Sequence, residues 1–136
     1  MPLWIILILT FIALDILFIV IIFLKRSSRS KLTNQQLNYI HLHWIRIIDT
    51  AASNPSSSIL DADKLLHYVL AIKGFQGSTG AKMKGAQRHF SDLNGIWRAH
   101  KLRNRVAHEM LDLNRAQTKK ALRSFKRALN DFGANL

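Results

Sequence analysis

The chain has 136 residues, of which 20 are Lys or Arg and 8 are Asp or Glu, so its formal net charge is +12. This length allows one modest soluble domain beside a membrane segment. The absence of cysteine excludes a disulfide framework and a thiolate metal site. The basic excess favours anionic partners such as RNA, DNA, nucleotides or anionic lipids. A solvated surface close to an anionic membrane would have the same composition.

The N-terminal residues form a long apolar run. From Leu3 to Leu24 only Thr10 and Asp15 are polar, and a helix of this length spans about 33 Å, which matches a hydrocarbon core. A cleaved signal peptide is disfavoured, because no charged side chain precedes the run and no small-x-small cleavage site follows it. We therefore expect residues 1–24 to be a single-pass transmembrane anchor.

A basic segment over residues 25–32 follows the anchor and contains Lys25, Arg26, Arg29 and Lys31. Because basic residues stay on the cytoplasmic side, we expect the N-terminus outside the cell membrane and the rest of the chain in the cytoplasm. Beyond this segment, sixteen basic residues against seven acidic residues leave +9 on the domain over residues 33–136. Membrane topology alone does not explain the +9 charge of this domain.

Asp15 lies near the middle of the apolar run. A carboxylate there costs about 2.5–3.5 kcal/mol on insertion scales. One interpretation is a polar contact with a second membrane helix, either in another copy or in a membrane partner. The other is a tolerated group that is protonated or reached by water.

Helical spacing of apolar residues recurs through the rest of the chain, with no alternating strand pattern. A capping box at Thr33 and Gln36, a cap at Ser58, a stop at Gly74 and a cap at Ser91 mark helix ends. The predicted helices cover about 34–53, 59–73, 80–90, 91–111 and 115–131. We therefore expect an all-α protein, with a four- or five-helix bundle after the anchor.

Two other features point away from cofactor and metal chemistry. The glycine-rich stretch over residues 74–82 lacks the Gly-Lys-Ser/Thr triplet and the preceding strand of a phosphate-binding loop, which favours an ordinary interhelical loop. His41 and His43 point in different directions on a helix, and His67 and His89 stand alone. We expect no cofactor and no metal site, and treat these histidines as ordinary polar residues.

The fourth predicted helix carries a polar cluster beside its core face. At about 100° per residue, His100, Asn104 and His108 fall on the same side as Arg103, with Trp97 close by. The predicted core face consists of Ala99, Leu102, Val106 and Met110. Histidine transfers protons near neutral pH, and arginine holds a phosphate and stabilises developing negative charge. This set suits cleavage of RNA with the 2′-hydroxyl as the nucleophile.

Arg103-Asn104-Arg105-Val106-Ala107-His108 resembles the signature of HEPN domains, which is Arg, a polar residue, three others and His. The resemblance covers about residues 33–132 and implies an all-α bundle with the motif in a late helix. Active members of the family are metal-independent ribonucleases that dimerise so that two motifs meet. The resemblance thus implies that Arg103 grips phosphate, Asn104 supports it and His108 is the acid and base. His100 and Trp97 lie outside the motif and are added as accessory residues from helix geometry alone.

Three interpretations of the motif remain open. Many HEPN proteins bind nucleic acid or nucleotides without cleaving them. Arg103 and His108 could also serve structure, by bonding helix carbonyls and core groups. The sequence therefore predicts a membrane-tethered protein that cleaves RNA, binds RNA or another anionic ligand, or acts as a structural adaptor. As partners we expect RNA, membrane lipid, a second copy of the chain and a further membrane helix.

Overall fold

The computed structural model describes the backbone of residues 1–27 and 31–136 and the side chains of residues 1–22 and 31–136. Within these residues the chain consists of α-helices, one short 3₁₀ turn and loops, without any strand. The all-α prediction is thereby confirmed. The chain divides into two compact units, Met1–Ser30 and Lys31–Leu136.

The first unit is one helix, α1, over Leu3–Ser27. Its segment Leu3–Ile22 has a mean hydropathy of 3.3 and is long and apolar enough to cross a membrane. The Thr10 hydroxyl donates to the Leu7 carbonyl at 2.9 Å, which satisfies it within the helix. The predicted basic segment falls largely outside the described residues, including the side chains of Lys25, Arg26 and Arg29.

The second unit is a bundle of five α-helices, one of which is central. These are α2 (Asn34–Ala51), α3 (Pro55–Ile72), α4 (Thr79–Gly85), α5 (Leu93–His108) and α6 (Arg115–Asp131), with a 3₁₀ turn at Gln87–His89 between α4 and α5. Helix α3 contacts α2, α4, α5 and α6. It contributes the largest share of the core, namely Ile59, Ala62, Leu65, Leu66, Val69 and Leu70.

The ends of α2 and α6 follow local sequence rules. At Thr33 and Gln36 each side chain bonds the other residue's backbone N–H, so the predicted capping box is present. Asn114 and Gln117 make the same arrangement before α6, whose range matches the prediction. Helix α3 ends at Ile72, and Gly74, two residues later, has a φ of +89°, a left-handed conformation that glycine adopts without a Cβ clash.

Several predicted boundaries were wrong. Helix α3 begins at Pro55, four residues before the predicted start, because proline is preorganised for the first helical position and Asn54 caps it, so that Ser58 is not the cap. Helix α4 is shorter than predicted, ending at Gly85. Helix α5 is capped by Asp92 rather than Ser91.

The predicted core face of α5 also needs correction at its end. Helix α5 stops at His108, because Glu109 is already in an extended conformation. Met110 therefore lies beyond the helix, and its side chain is fully exposed rather than part of the core. The face that packs inward is formed earlier in the helix, by Ile96 and Ala99.

Candidate functional site

A buried carboxylate on α3 organises the polar residues of α5. Asp63 is only 1% exposed. Its Oδ1 accepts a hydrogen bond from His100 Nδ1 at 2.7 Å, and its Oδ2 lies 3.3 Å from Arg103 Nε. A buried charge is costly unless it is paired, so the two α5 side chains offset the desolvation of Asp63.

His100, Arg103 and Asn104 lie on one face of α5, because they are spaced three and four residues apart. Arg103 Nη1 donates to Asn104 Oδ1 at 3.0 Å, and Asn104 Nδ2 lies 3.5 Å from His100 Nε2. Since His100 Nδ1 carries the proton donated to Asp63, its Nε2 is the ring nitrogen without a proton, and it faces the Asn104 amide. The arrangement gives His100 a defined orientation and tautomer.

Arg103 is held by charge more than by hydrogen bonding to Asp63. Its Nε is buried and makes no hydrogen bond, although Oδ2 of Asp63 is 3.3 Å away, so the N–H does not point along that line. About 30% of the Arg103 side chain is exposed. The outer part of the guanidinium is therefore accessible while its stem is fixed by α3.

A second polar group stands on the α3–α4 side. His67 lies one helical turn after Asp63 on α3, and its Nδ1 is 2.9 Å from the Thr79 hydroxyl. Its Nε2 is 2.8 Å from Nζ of Lys82. Desolvation and the nearby positive charge of Lys82 lower the pKa of His67, partly opposed by Asp63. His67 therefore stays neutral near neutral pH.

Both groups border an open cavity of about 570 Å³, which His67 and Thr79 line together with His100 and Arg103. Its walls come from α3, α4 and α5 and the loop before α4, with the lining residues Asp63, Lys64, His67, Ser78, Thr79, Gly80, His100, Arg103 and Asn104. The central helix α3 thus supplies one wall and joins the other two. A cavity in which several polar groups converge is a candidate for a binding site.

The predicted site residues are brought together only in part. Arg103 and Asn104 line the cavity, and His100, predicted as an accessory residue, holds a more central place than expected. Trp97 is half-buried, and its ring meets that of His100 edge-on with centroids 5.9 Å apart. His108 is exposed in the last turn of α5 and is not among the residues that line this cavity.

Four residues of the site were not selected from the sequence, namely Asp63, His67, Thr79 and Lys82. A signal for Asp63 existed, because it falls between Ala62 and Leu65 on the apolar face of α3, where a charged residue needs a buried partner. His67 was treated as an isolated histidine. Its partners come from α4, across the glycine-containing loop, and no spacing in the sequence indicates that contact.

No group of His, Asp or Glu side chains placed to hold a metal ion occurs in the described part of the chain. Comparisons with protein-family models, with curated proteins and with solved structures found no match for this chain.

Proposed function

We propose that this protein is a membrane-tethered, HEPN-like ribonuclease that cleaves RNA without a metal ion. The observation that supports the proposal is the Asp63–His100–Arg103 network on one wall of the cavity. It combines a histidine of fixed tautomer with a partly exposed guanidinium, the two groups that acid–base cleavage beside a phosphate requires.

The reaction we propose uses the 2′-hydroxyl of RNA as an internal nucleophile. His100 Nε2 takes the proton of the 2′-hydroxyl, and the 2′-oxygen attacks the adjacent phosphorus. The bond between phosphorus and the 5′-oxygen breaks, and the leaving oxygen receives a proton from a second acid. Arg103, steadied by Asn104, stabilises the negative charge on the phosphoryl oxygens. The products are a 2′,3′-cyclic phosphate and a 5′-hydroxyl.

In this proposal the second acid is His108. It lies eight residues after His100 on α5, which places it about 12 Å further along the helix axis, and its side chain is exposed. A second copy of the chain would bring its own His108 towards this cavity if two α5 faces met. That dimer is the arrangement implied by the HEPN resemblance.

Basic side chains on α5 and α6 supply the attraction for RNA. Helices α5 and α6 carry ten Lys and Arg residues and one acidic residue, Asp131. Most of these side chains are exposed, and three of them pair with acids, namely Arg103, Arg105 and Arg127, at 3.3, 3.5 and 3.2 Å. The other seven offer phosphate contacts for a bound RNA strand.

The proposal is tested with the full chain in detergent micelles, incubated with RNA in the presence of a chelator. We expect 2′,3′-cyclic phosphate products, and at least a hundredfold slower cleavage for His100→Ala and His108→Ala, in the range for loss of a general acid or base. His43→Ala on α2 is the matched control and should cleave like the unmodified chain. Equal cleavage by all variants would indicate a contaminating nuclease, and no cleavage by any would remove the ribonuclease proposal.

RNA binding without cleavage is the second candidate. It is favoured by one observation: of the two histidines that line the cavity, His67 is engaged by Thr79 and Lys82, which leaves the second proton donor dependent on another copy. A binding protein would retain RNA affinity in His100→Ala and yield no cyclic phosphate. An absence of RNA binding even at low salt would remove this candidate as well.

We further propose that α1 spans the cell membrane with the N-terminus outside and the helical bundle in the cytoplasm. The apolar segment Leu3–Ile22 supports the span, and the basic residues after it support the orientation. Because the chain has no native cysteine, single variants at Pro2 and at the exposed Gln76 report each side. In intact cells an impermeant thiol reagent should label Pro2→Cys and not Gln76→Cys, and the reverse pattern would contradict the orientation.

A further inference from the structure

We propose that the α3–α4 side of the cavity is a phosphate-recognition element, in which Lys82 and His67 orient the Thr79 hydroxyl to donate to a phosphoryl oxygen of the ligand. This inference deepens the proposed function, since it rests on the cavity also being the RNA site. It adds residues outside the Arg103–His108 motif, and it names the phosphoryl group as the ligand group that these residues recognise.

The orientation follows from which atoms can donate. The Lys82 ammonium has three N–H donors and no acceptor, so at 2.8 Å the His67 Nε2 must be the acceptor. Neutral His67 then carries its proton on Nδ1 and donates it to the Thr79 oxygen at 2.9 Å. The lowered pKa of His67 agrees with this neutral form. The chain of donors therefore runs in one direction, from Lys82 to Thr79.

The Thr79 hydroxyl is left with one unused donor. Its oxygen accepts from His67, and its own hydrogen has no acceptor among the described side chains and backbone groups. Thr79 also lines the cavity, as Arg103 and Asn104 do. A hydroxyl fixed in this way donates towards whatever occupies the cavity.

Lys82 gives an independent reason to expect an anion. Lys82 is only 6% exposed, and no carboxylate of the described chain lies within ion-pair distance of its ammonium group. A buried ammonium without a counter-ion is costly. An anion on the cavity side of His67 and Thr79 would offset part of that cost. The positive charge of Lys82 therefore favours a negative ligand in this cavity.

A phosphoryl group fits the placement of these donors. Arg103 approaches from α5 and Thr79 from α4, so a ligand must present acceptor oxygens in at least two directions. The tetrahedral oxygens of a phosphodiester do so, and guanidinium groups match them geometrically. A cavity of about 570 Å³ also leaves room for the sugar beside the phosphate.

The test measures binding of an RNA oligonucleotide with 2′-fluoro sugars, which cannot cleave itself, to the full chain in detergent micelles. Thr79→Val removes the hydroxyl at similar volume and should weaken binding about tenfold, as expected for a hydrogen bond to a charged group. Thr79→Ser should restore it. Thr50→Val is the matched control, because the Thr50 hydroxyl donates to its own helix at Arg46, and it should bind like the unmodified chain.

The role of His67 as a positioning residue needs a readout beyond folding. His67→Ala should weaken binding about as much as Thr79→Val, and the double variant should lose no more than either single one, since both act on the same hydrogen bond. Thermal unfolding of each variant checks that the bundle is intact. Added inorganic phosphate should compete with the oligonucleotide for the unmodified chain, and only weakly for Thr79→Val.

The inference is overturned if Thr79→Val binds like the unmodified chain, if Thr79→Ser fails to restore binding, or if the unmodified chain binds neither probe. Its failure is separable from that of the ribonuclease proposal. If the unmodified chain cleaves ordinary RNA and Thr79→Val binds as it does, only the inference about Thr79 is contradicted. If binding depends on Thr79 but no cyclic phosphate products form, the inference is supported and the proposed reaction is contradicted.

Discussion

Asp63 and His100 are 37 positions apart in the sequence, yet a 2.7 Å hydrogen bond joins the Asp63 carboxylate to the His100 ring where α3 packs on α5. The same carboxylate lies 3.3 Å from Arg103 Nε. One buried acid therefore fixes both the proton-transferring and the phosphate-binding candidates of the site. The contact also links the folding of the bundle to the shape of the cavity.

Asp63→Asn should destabilise the bundle. The substitution keeps the size of the side chain but removes the negative charge opposite Arg103, leaving a partly buried cation less well compensated. We expect the free energy of unfolding to fall by about 1–3 kcal/mol, the range for an unsatisfied buried partner. Denaturant unfolding of the full chain in detergent, followed by helical circular dichroism, measures it.

The matched control for that change is Asp61→Asn, two residues earlier on α3. Asp61 pairs with Lys64 at 3.6 Å, and both side chains are largely exposed. Such pairs contribute little, so the change in unfolding free energy should stay below about 0.5 kcal/mol. If Asp61→Asn and Asp63→Asn destabilise equally, the buried network is not what holds α3 and α5 together.

Much of the fold was accessible from local signals. The capping boxes at Thr33 and Asn114 and the left-handed Gly74 mark helix ends that depend only on neighbouring residues. The errors arose where one residue supports two interpretations. Pro55 lies between the predicted helices 34–53 and 59–73, although it begins α3, and the regular apolar spacing to Met110 continues past the point where α5 ends.

The site was less predictable because it depends on which helices meet. Helix periodicity grouped His100, Arg103 and Asn104 correctly, since all three lie on α5. It could not supply Asp63 or Thr79, which reach the cavity from α3 and α4 through tertiary packing. The same periodicity included His108, which shares the helix but lies in its exposed last turn. Spacing along one helix identifies the residues on one face of that helix, whereas a cavity also needs residues from other helices.

The stability of the bundle should depend on pH through His67. Its pKa is lowered in the folded chain, mainly by desolvation and then by Lys82, so between the folded and unfolded pKa values the unfolded chain binds more protons. The contribution is fully present above the unfolded value of about 6.5 and decreases as the pH falls towards the folded value. Thermal unfolding between pH 8 and pH 5 should show this decrease.

The control for the pH experiment is a pair of glutamine variants. His67→Gln removes the titrating group and should flatten the pH dependence below about 6.5. His43→Gln, on the outer part of α2, should leave it unchanged. An unaltered pH profile in His67→Gln would show that another group is responsible.

RNA binding should weaken steeply as salt increases, because basic side chains that contact phosphates displace counterions. We expect the logarithm of the binding constant to fall linearly with the logarithm of the salt concentration. Lys119→Gln and Arg123→Gln on α6 should each reduce the slope by about 1 if those side chains contact phosphates. Binding that is independent of salt, or a slope unchanged by both substitutions, would contradict phosphate contacts by α6.

The anchor should also associate through Asp15. This side chain makes no hydrogen bond or ion pair with the described residues, and it lies in the middle of the apolar segment Leu3–Ile22. A carboxyl group at that depth is favoured when a second membrane helix supplies a polar partner. In membranes, crosslinking should yield dimers or a complex with another membrane protein, and Asp15→Leu should reduce their yield several-fold. Asp15→Asn, which keeps a polar group able to donate and accept, should retain most of it. Unchanged crosslinking in Asp15→Leu would mean that the acid is tolerated without a partner, and any pairing of two bundles would then have to come from the bundles themselves.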